Sequence, residues 1–176
     1  MMTLIYIVAA LLVIVIILAA IAPKTYNVQR SITIDKPKEI VFDYMRYLKN
    51  YEAWSPWHKK DPTMKITYTG ADGQVGSKSS WDGNKEVGTG SQTISTIEEY
   101  KLIESKLVFL KPWKSESVGY YNFEDGGPGQ TKLTWGFNGK NKFPATIFML
   151  AYNMDKAVGK DFTEGLESLK KILEDV

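Results

Sequence analysis

Hydrophobic and polar positions follow three different rhythms along this chain. From Leu4 to Ala22 there is none: LIYIVAALLVIVIILAAIA runs nineteen residues without a charge. As a helix it would extend about 28 Å, close to the hydrocarbon thickness of a bilayer. An apolar surface all round excludes both the amphipathic helix of a soluble core and the helix that lies flat on a membrane. Residues 4–22 are therefore expected to cross a membrane once, dividing the chain into an anchor, 1–23, and a soluble domain, 24–176. A cleaved leader is the rival reading, because Ala20-Ile21-Ala22 resembles a small-x-small cleavage site. Against it, Met1-Met2-Thr3 has no basic side chain, the apolar run exceeds an ordinary leader core, and Pro23 would follow the cut. Lys24, Arg30, Lys36 and Lys38 follow the helix and nothing basic precedes it, which favours a position for the domain on the cytoplasmic side of the cell membrane.

The second rhythm is alternation. Tyr26 to Ile34 sets Val28, Ile32 and Ile34 against Gln29, Ser31 and Thr33, a strand signature interrupted by Arg30. Asp35 and Pro37 then read as a helix start, aspartate capping free amides and proline fitting the first turn. The helix runs from Pro37 to Leu48 and a short helical piece covers Asn50 to Trp54. Strand candidates follow at Met64–Thr69, Ser77–Trp81, Lys85–Ile97, Leu102–Leu110, Ser115–Glu124 and Thr131–Gly139. Asp82-Gly83-Asn84 and Asp125 to Gly129 suit hairpin connections, since glycine and asparagine accept the positive φ of tight turns. About seven mostly antiparallel strands result, and a sheet of that size curls.

After Phe143-Pro144 the period becomes helical. Ile147, Ala151, Met154, Val158, Phe162, Leu166, Leu169 and Leu173 step by three or four, predicting one helix of roughly 30 residues, about 45 Å long. The concave face of the sheet is the surface large enough to cover that stripe. Gly159 and Gly165 weaken the helix and permit close approach or a bend. The expected fold class is thus α+β: a curved antiparallel sheet wrapped around a long C-terminal helix, preceded by one transmembrane helix. A gap opens between the two layers wherever the side chains there are too few or too small to fill it, and that gap is the natural ligand site.

Composition narrows the chemistry. A chain of 176 residues with 44% hydrophobic content stocks one core. The net charge of +2, spread over scattered lysines, gives no reason to expect a nucleic-acid partner. Without cysteine there are no disulfides, thiolate nucleophiles or thiolate metal sites. His58 is the single histidine, which makes a histidine metal site or triad hard to build. No cofactor, no metal and no catalytic residue is assigned. Gly70 to Gly76 and Gly88-Thr89-Gly90 lack the context of phosphate loops and read as turns and bulges.

The element order, with Trp54-Ser55-Pro56-Trp57-His58, Asp61-Pro62, Trp81-Asp82-Gly83-Asn84 and Gly159-Lys160-Asp161-Phe162, resembles the SRPBCC superfamily. This is the START-like, Bet v 1-like helix-grip group, and the look is that of its bacterial polyketide cyclase/dehydrase-like members. The opening Asp35-Lys36-Pro37 with Val41-Phe42 and the closing Gly165-Leu166-x-x-Leu169-Lys170 add to the resemblance, which covers nearly all of Lys24 to Val176. It implies a cavity for hydrophobic small molecules such as lipids, sterols or polyketides. It does not decide between carrier, cyclase and chaperone activator.

Aromatic rings suit such a cavity, offering rigid apolar surface and an occasional polar tip. The ligand-binding candidates are Trp54, Trp57, His58, Trp81, Leu107, Phe109, Tyr121, Phe123, Trp135, Phe148 and Tyr152. Alternation puts the strand members on inward faces, and Phe148 and Tyr152 sit near the start of the long helix. The expected function is membrane-tethered binding of a hydrophobic small molecule or lipid. The alternatives are an enzyme of cyclase, dehydrase or hydrolase type using His58, Asp61, Tyr121 and Tyr152, or a groove for a protein segment. The protein partner stays unassigned.

Overall fold

The computed structural model describes residues 2–175, so Met1 and Val176, at the outer ends of the expected anchor and domain, lie outside the described residues. The unbroken apolar run folds as α1, Met2–Ile21, with mean hydropathy 3.4 and no buried residue. It has the length and composition of a membrane span or a signal sequence. Ala22, Pro23 and Lys24 lead from it into β1 (Thr25–Ile34).

The segment after β1 breaks into α2 (Lys38–Met45), a 3₁₀ turn at Leu48–Asn50, α3 (Tyr51–Trp54) and α4 (Pro56–Lys60). Asp35 does not cap α2 as expected. Its amide donates to Glu174 Oε1 at 2.7 Å and its carboxylate accepts from Gln130 Nε2 at 2.6 Å, so it ties β1 to the chain's far end. The side-chain cap falls instead on Ser55, whose hydroxyl accepts from the His58 amide with Pro56 at the first helical position.

The remaining strands are β2 (Lys65–Thr69), β3 (Lys78–Asp82), β4 (Thr89–Glu98), β5 (Leu102–Lys111), β6 (Ser115–Gly127) and β7 (Gln130–Lys140). All pairs are antiparallel, in the order β1-β7-β6-β5-β4-β3-β2. The first strand therefore pairs with the last, and α2 to α4 carry the chain to the opposite edge. Thr25↔Lys140, Ser117↔Gly139, Phe109↔Ser115, Thr89↔Lys111 and Lys65↔Asp82 all lie at one end of the sheet. We call this the near rim, because α1 departs from it.

The expected 30-residue helix divides. α5 (Ala145–Phe148) is a short piece, and after a turn α6 (Met154–Glu174) begins afresh at Asn153, whose side chain accepts from the Lys156 amide. A capping side chain starts a new helix where apolar spacing alone would continue the old one. α6 rests on β1 and β7. Arg30, the interruption in the β1 pattern, forks onto Asp155 at 2.7 and 3.0 Å, and a Cβ at Gly159 would collide with its guanidinium. A Cβ at Gly165 would come within 2.7 Å of the Trp135 ring, so glycine lets the helix settle directly on that indole.

The core is densest away from the near rim. Ile34, Val41, Phe42, Ile103, Leu133, Leu166 and Leu169 are at most 1% exposed, and Phe42 packs edge-on against Phe123 with centroids 5.1 Å apart. Each such side chain contributes about 1.5–3 kcal/mol by leaving water.

Candidate ligand cavity

Because α6 follows β1 and β7, the inner faces of β2 to β5 toward the near rim have no long helix over them. Some inward positions beside it are also small, with Ser79 on β3 and Gly119 on the neighbouring β6. Missing cover and missing side-chain volume leave a cavity of ≈ 190 Å³ between sheet and helices. A void of about 150 Å³ already holds benzene, so a ring or a stretch of acyl chain fits here.

One wall is an aromatic stack. Trp135 lies flat on Phe162, with centroids 4.1 Å apart and planes 7° from parallel. Trp57 and Tyr51 meet the same indole edge-on at 5.6 and 6.1 Å. The opposite wall sets Trp81 against Phe109 at 5.9 Å, beside Ile66 and Leu107. Leu48 closes one side. Its amide is held by Asp72 of the β2–β3 hairpin at 2.8 Å, which explains what the Gly70 to Gly76 loop does. The partly exposed lining residues Met64, Trp81, Val87, Phe109 and Val158 frame the cavity on the rim side.

Few polar groups reach the interior. The Tyr121 hydroxyl faces Gln92, whose amide donates to Ser105 Oγ at 3.2 Å. Burial pushes the Tyr121 phenol well above its ordinary pKa. Burial likewise raises Tyr51, and the neighbouring Tyr121 adds to the effect. Tyr68 is raised by burial and by the Glu52 carboxylate to which its hydroxyl donates. All three phenols are therefore neutral donors around pH 7. Among the described residues no His, Asp, Glu, Lys or Arg lines the cavity. This lining can hydrogen-bond a carbonyl or hydroxyl but presents no carboxylate or imidazole for proton transfer.

Of the residues expected at the site, the structure brings Trp57, Trp81, Leu107, Phe109, Tyr121 and Trp135 together on the lining. Trp54 stands behind it, 2% exposed and edge-on to Trp135 at 4.9 Å. Phe123 belongs to the solid core. His58 points elsewhere, its Nδ1 buried without a hydrogen-bond partner among the described residues. Phe148 and Tyr152 lie off this lining: they are 71% and 50% exposed, because the helix restarts at Asn153 and leaves the preceding turn outside the sheet. Asp61 caps a turn, accepting from Thr63 and from the Asn84 amide at 2.7 Å, and those bonds lower its pKa. Of the four residues named for an enzyme, only Tyr121 lines this cavity.

Sequence reasoning missed Tyr51, Tyr68, Gln92, Ser79, Gly119, Val158 and Phe162. A usable signal was present in the strands, where small residues at inward alternating positions mark missing volume.

Residues 25–174 match the model of the family described as polyketide cyclase / dehydrase and lipid transport. No curated protein matches the chain. Solved structures similar to it include the ZhuI aromatase/cyclase from Streptomyces sp. R1128, 12% identical with TM-score 0.60, covering 85% of this chain and 94% of its own. Protein MLL2253 from Mesorhizobium loti is 16% identical with TM-score 0.61, covering 86% and 98%. Ginseng major latex-like protein 151 from Panax ginseng is 12% identical with TM-score 0.54, covering 85% and 98%. At these identities the likeness concerns the fold, and the sheet with its gripped helix is what the chains share.

Proposed function

Because the chain belongs to the polyketide cyclase / dehydrase and lipid transport family, we propose that it binds a small hydrophobic molecule while tethered to a membrane through α1. The observation that carries this reading is the ≈ 190 Å³ cavity, walled by aromatic and aliphatic side chains, beside the buried hydrophobic core. Its size favours a monocyclic or short acyl ligand, or one segment of a longer lipid, over a whole diacyl lipid. Tyr51, Tyr121 and Gln92 orient a single polar group of that ligand, and the apolar walls take the rest. A bilayer concentrates such molecules, so a span of nineteen or twenty apolar residues beside the domain keeps it where they are abundant. The lysines after the span support a cytoplasmic position for the domain.

The test is native mass spectrometry of the full chain released from detergent micelles, with a panel of alkylphenols and medium-chain fatty alcohols. The expected result is a one-to-one adduct that raises the unfolding temperature. Tyr121→Phe should weaken hydroxyl-bearing ligands about 5-fold, one neutral hydrogen bond of ~1 kcal/mol, and leave plain alkylbenzenes unchanged. An absence of any adduct, together with an unshifted unfolding temperature across the panel, would overturn the proposal.

A further inference from the structure

The near rim carries an exposed apolar surface that the cavity does not use. Trp113, in the β5–β6 hairpin, is 81% exposed; Phe148 is 71%, Phe143 64%, Tyr152 50% and Leu110 48%. Indole, phenyl and isobutyl groups at such exposure on one end of a domain form a patch that calls for a covering partner. Register places them together: Leu110 and Trp113 follow Phe109, which pairs with Ser115, and the segment after Lys140 continues from the pair Thr25↔Lys140.

What covers the patch follows from α1. Asn141 is fastened to the end of that helix, its amide donating to Lys24 O at 2.9 Å and its side chain to Pro23 O at 3.0 Å. α5 packs beside α1. The apolar residues therefore surround the point where a membrane-crossing helix would leave the bilayer. Interleaved with them are Lys24, Lys111, Lys114, Lys140 and Lys142, none in an ion pair among the described residues. Aromatic rings with unpaired lysines are what the headgroup layer of an anionic membrane accepts, the rings at the acyl boundary and the ammonium groups on phosphates.

We infer that the near rim seats on the bilayer surface, the Trp113 hairpin and the Phe143 to Tyr152 segment dipping into the headgroup region on two sides of α1. This rests on the reading of α1 as a membrane span. Seating aims the rim side of the cavity, framed by Trp81, Val87, Phe109 and Val158, at the lipid phase. An apolar ligand then passes from bilayer to cavity without crossing bulk water.

The chain has no cysteine, so a single introduced one carries a unique spin label. Full chains bearing Val13→Cys, Val75→Cys, Trp113→Cys or Phe148→Cys are reconstituted in phosphatidylcholine vesicles containing about one quarter phosphatidylglycerol. Accessibility to oxygen, which partitions into lipid, is compared with accessibility to a water-soluble nickel chelate. All four positions are exposed, so the labels leave the core intact. Val13 reports on α1, and Val75, in the loop between β2 and β3, reports on the end away from the rim. The expected outcome is oxygen preference at 13, 113 and 148 and nickel preference at 75. Oxygen preference at 13 with nickel preference at 113 and 148 would overturn the seating and leave the anchor standing. Nickel preference at 13 as well would overturn the anchor. Dipolar broadening at 113 or 148 without lipid exposure would overturn the seating in favour of a second copy covering the patch.

Discussion

The two halves of the domain interior are built from the same sheet and the same helix but end in opposite states. Away from the near rim, β5, β6 and β7 turn Ile103, Phe123 and Leu133 inward, and α6 answers with Leu166, Leu169 and Leu173, all 5% exposed or less. Toward the rim the sheet offers Ser79 on β3, Gln92 on β4 and Gly119 on β6 to the interior, and α6, which follows β1 and β7, does not cover β3 and β4. The far half is solid and the near half holds the cavity. Close packing is thus a local property, and one fold accommodates a hydrophobic anchor region beside a deliberately underfilled one.

The largest effect expected from this contrast is on stability. Leu133→Ala, at a site with no exposure, should cost about 2–5 kcal/mol, whereas Leu107→Ala on the cavity wall should cost about 1–2 kcal/mol because its side chain already borders a void. Denaturant melts of the full chain in micelles, followed by indole fluorescence, compare the two; equal losses would erase the distinction. A smaller and more selective effect should come from filling the void. Ser79→Phe adds a ring where space exists and should abolish ligand adducts with under ~1 kcal/mol change in stability, while Ser105→Leu, at a position 2% exposed, should overpack and cost about 1–3 kcal/mol. The reverse ranking would place the cavity elsewhere.

Acid should produce the smallest change, and it should fall on the near half. Hydrogen bonding to Arg30 lowers the Asp155 pKa, and bonds from Thr63 and Asn84 lower that of Asp61. A carboxylate depressed in the folded state stabilises above its unfolded pKa and loses that contribution as pH falls through the folded value. Both contacts should therefore be intact at neutral pH and weaken below about pH 4. Hydrogen exchange, corrected for intrinsic rates, should show the start of α6 and the Asn84 turn losing protection before Leu133 and Leu169. Simultaneous loss in both halves would show that these clamps are not local.

Much of this was legible in the residues, because period carries element type and alternation carries facing. The Asp82-Gly83-Asn84 connection lengthens to Gly88, which takes the positive φ, so that β4 begins at Thr89 rather than Lys85, whereas the apolar run, the β1 pattern and the Val158 to Leu173 stripe each translate directly into the elements observed. Asn153 did not, since a capping side chain inside an apolar stripe looks like a tolerated interruption until the turn before it is seen to leave the sheet. Phe148 and Tyr152 lie off the cavity lining for that reason. Tyr51 and Gln92 were illegible for another: they reach the cavity from α3 and from β4, elements far apart in sequence, which no local pattern encodes.

Between α1 and β1 stand only Ala22, Pro23 and Lys24, a leash that reaches at most about 10 Å when fully drawn out. On the proposed anchoring through α1, a domain on so short a leash would have almost no freedom to swing or to visit a facing surface. Under that proposal, whatever it collects or hands on would be exchanged in two dimensions, with molecules sliding in the same leaflet.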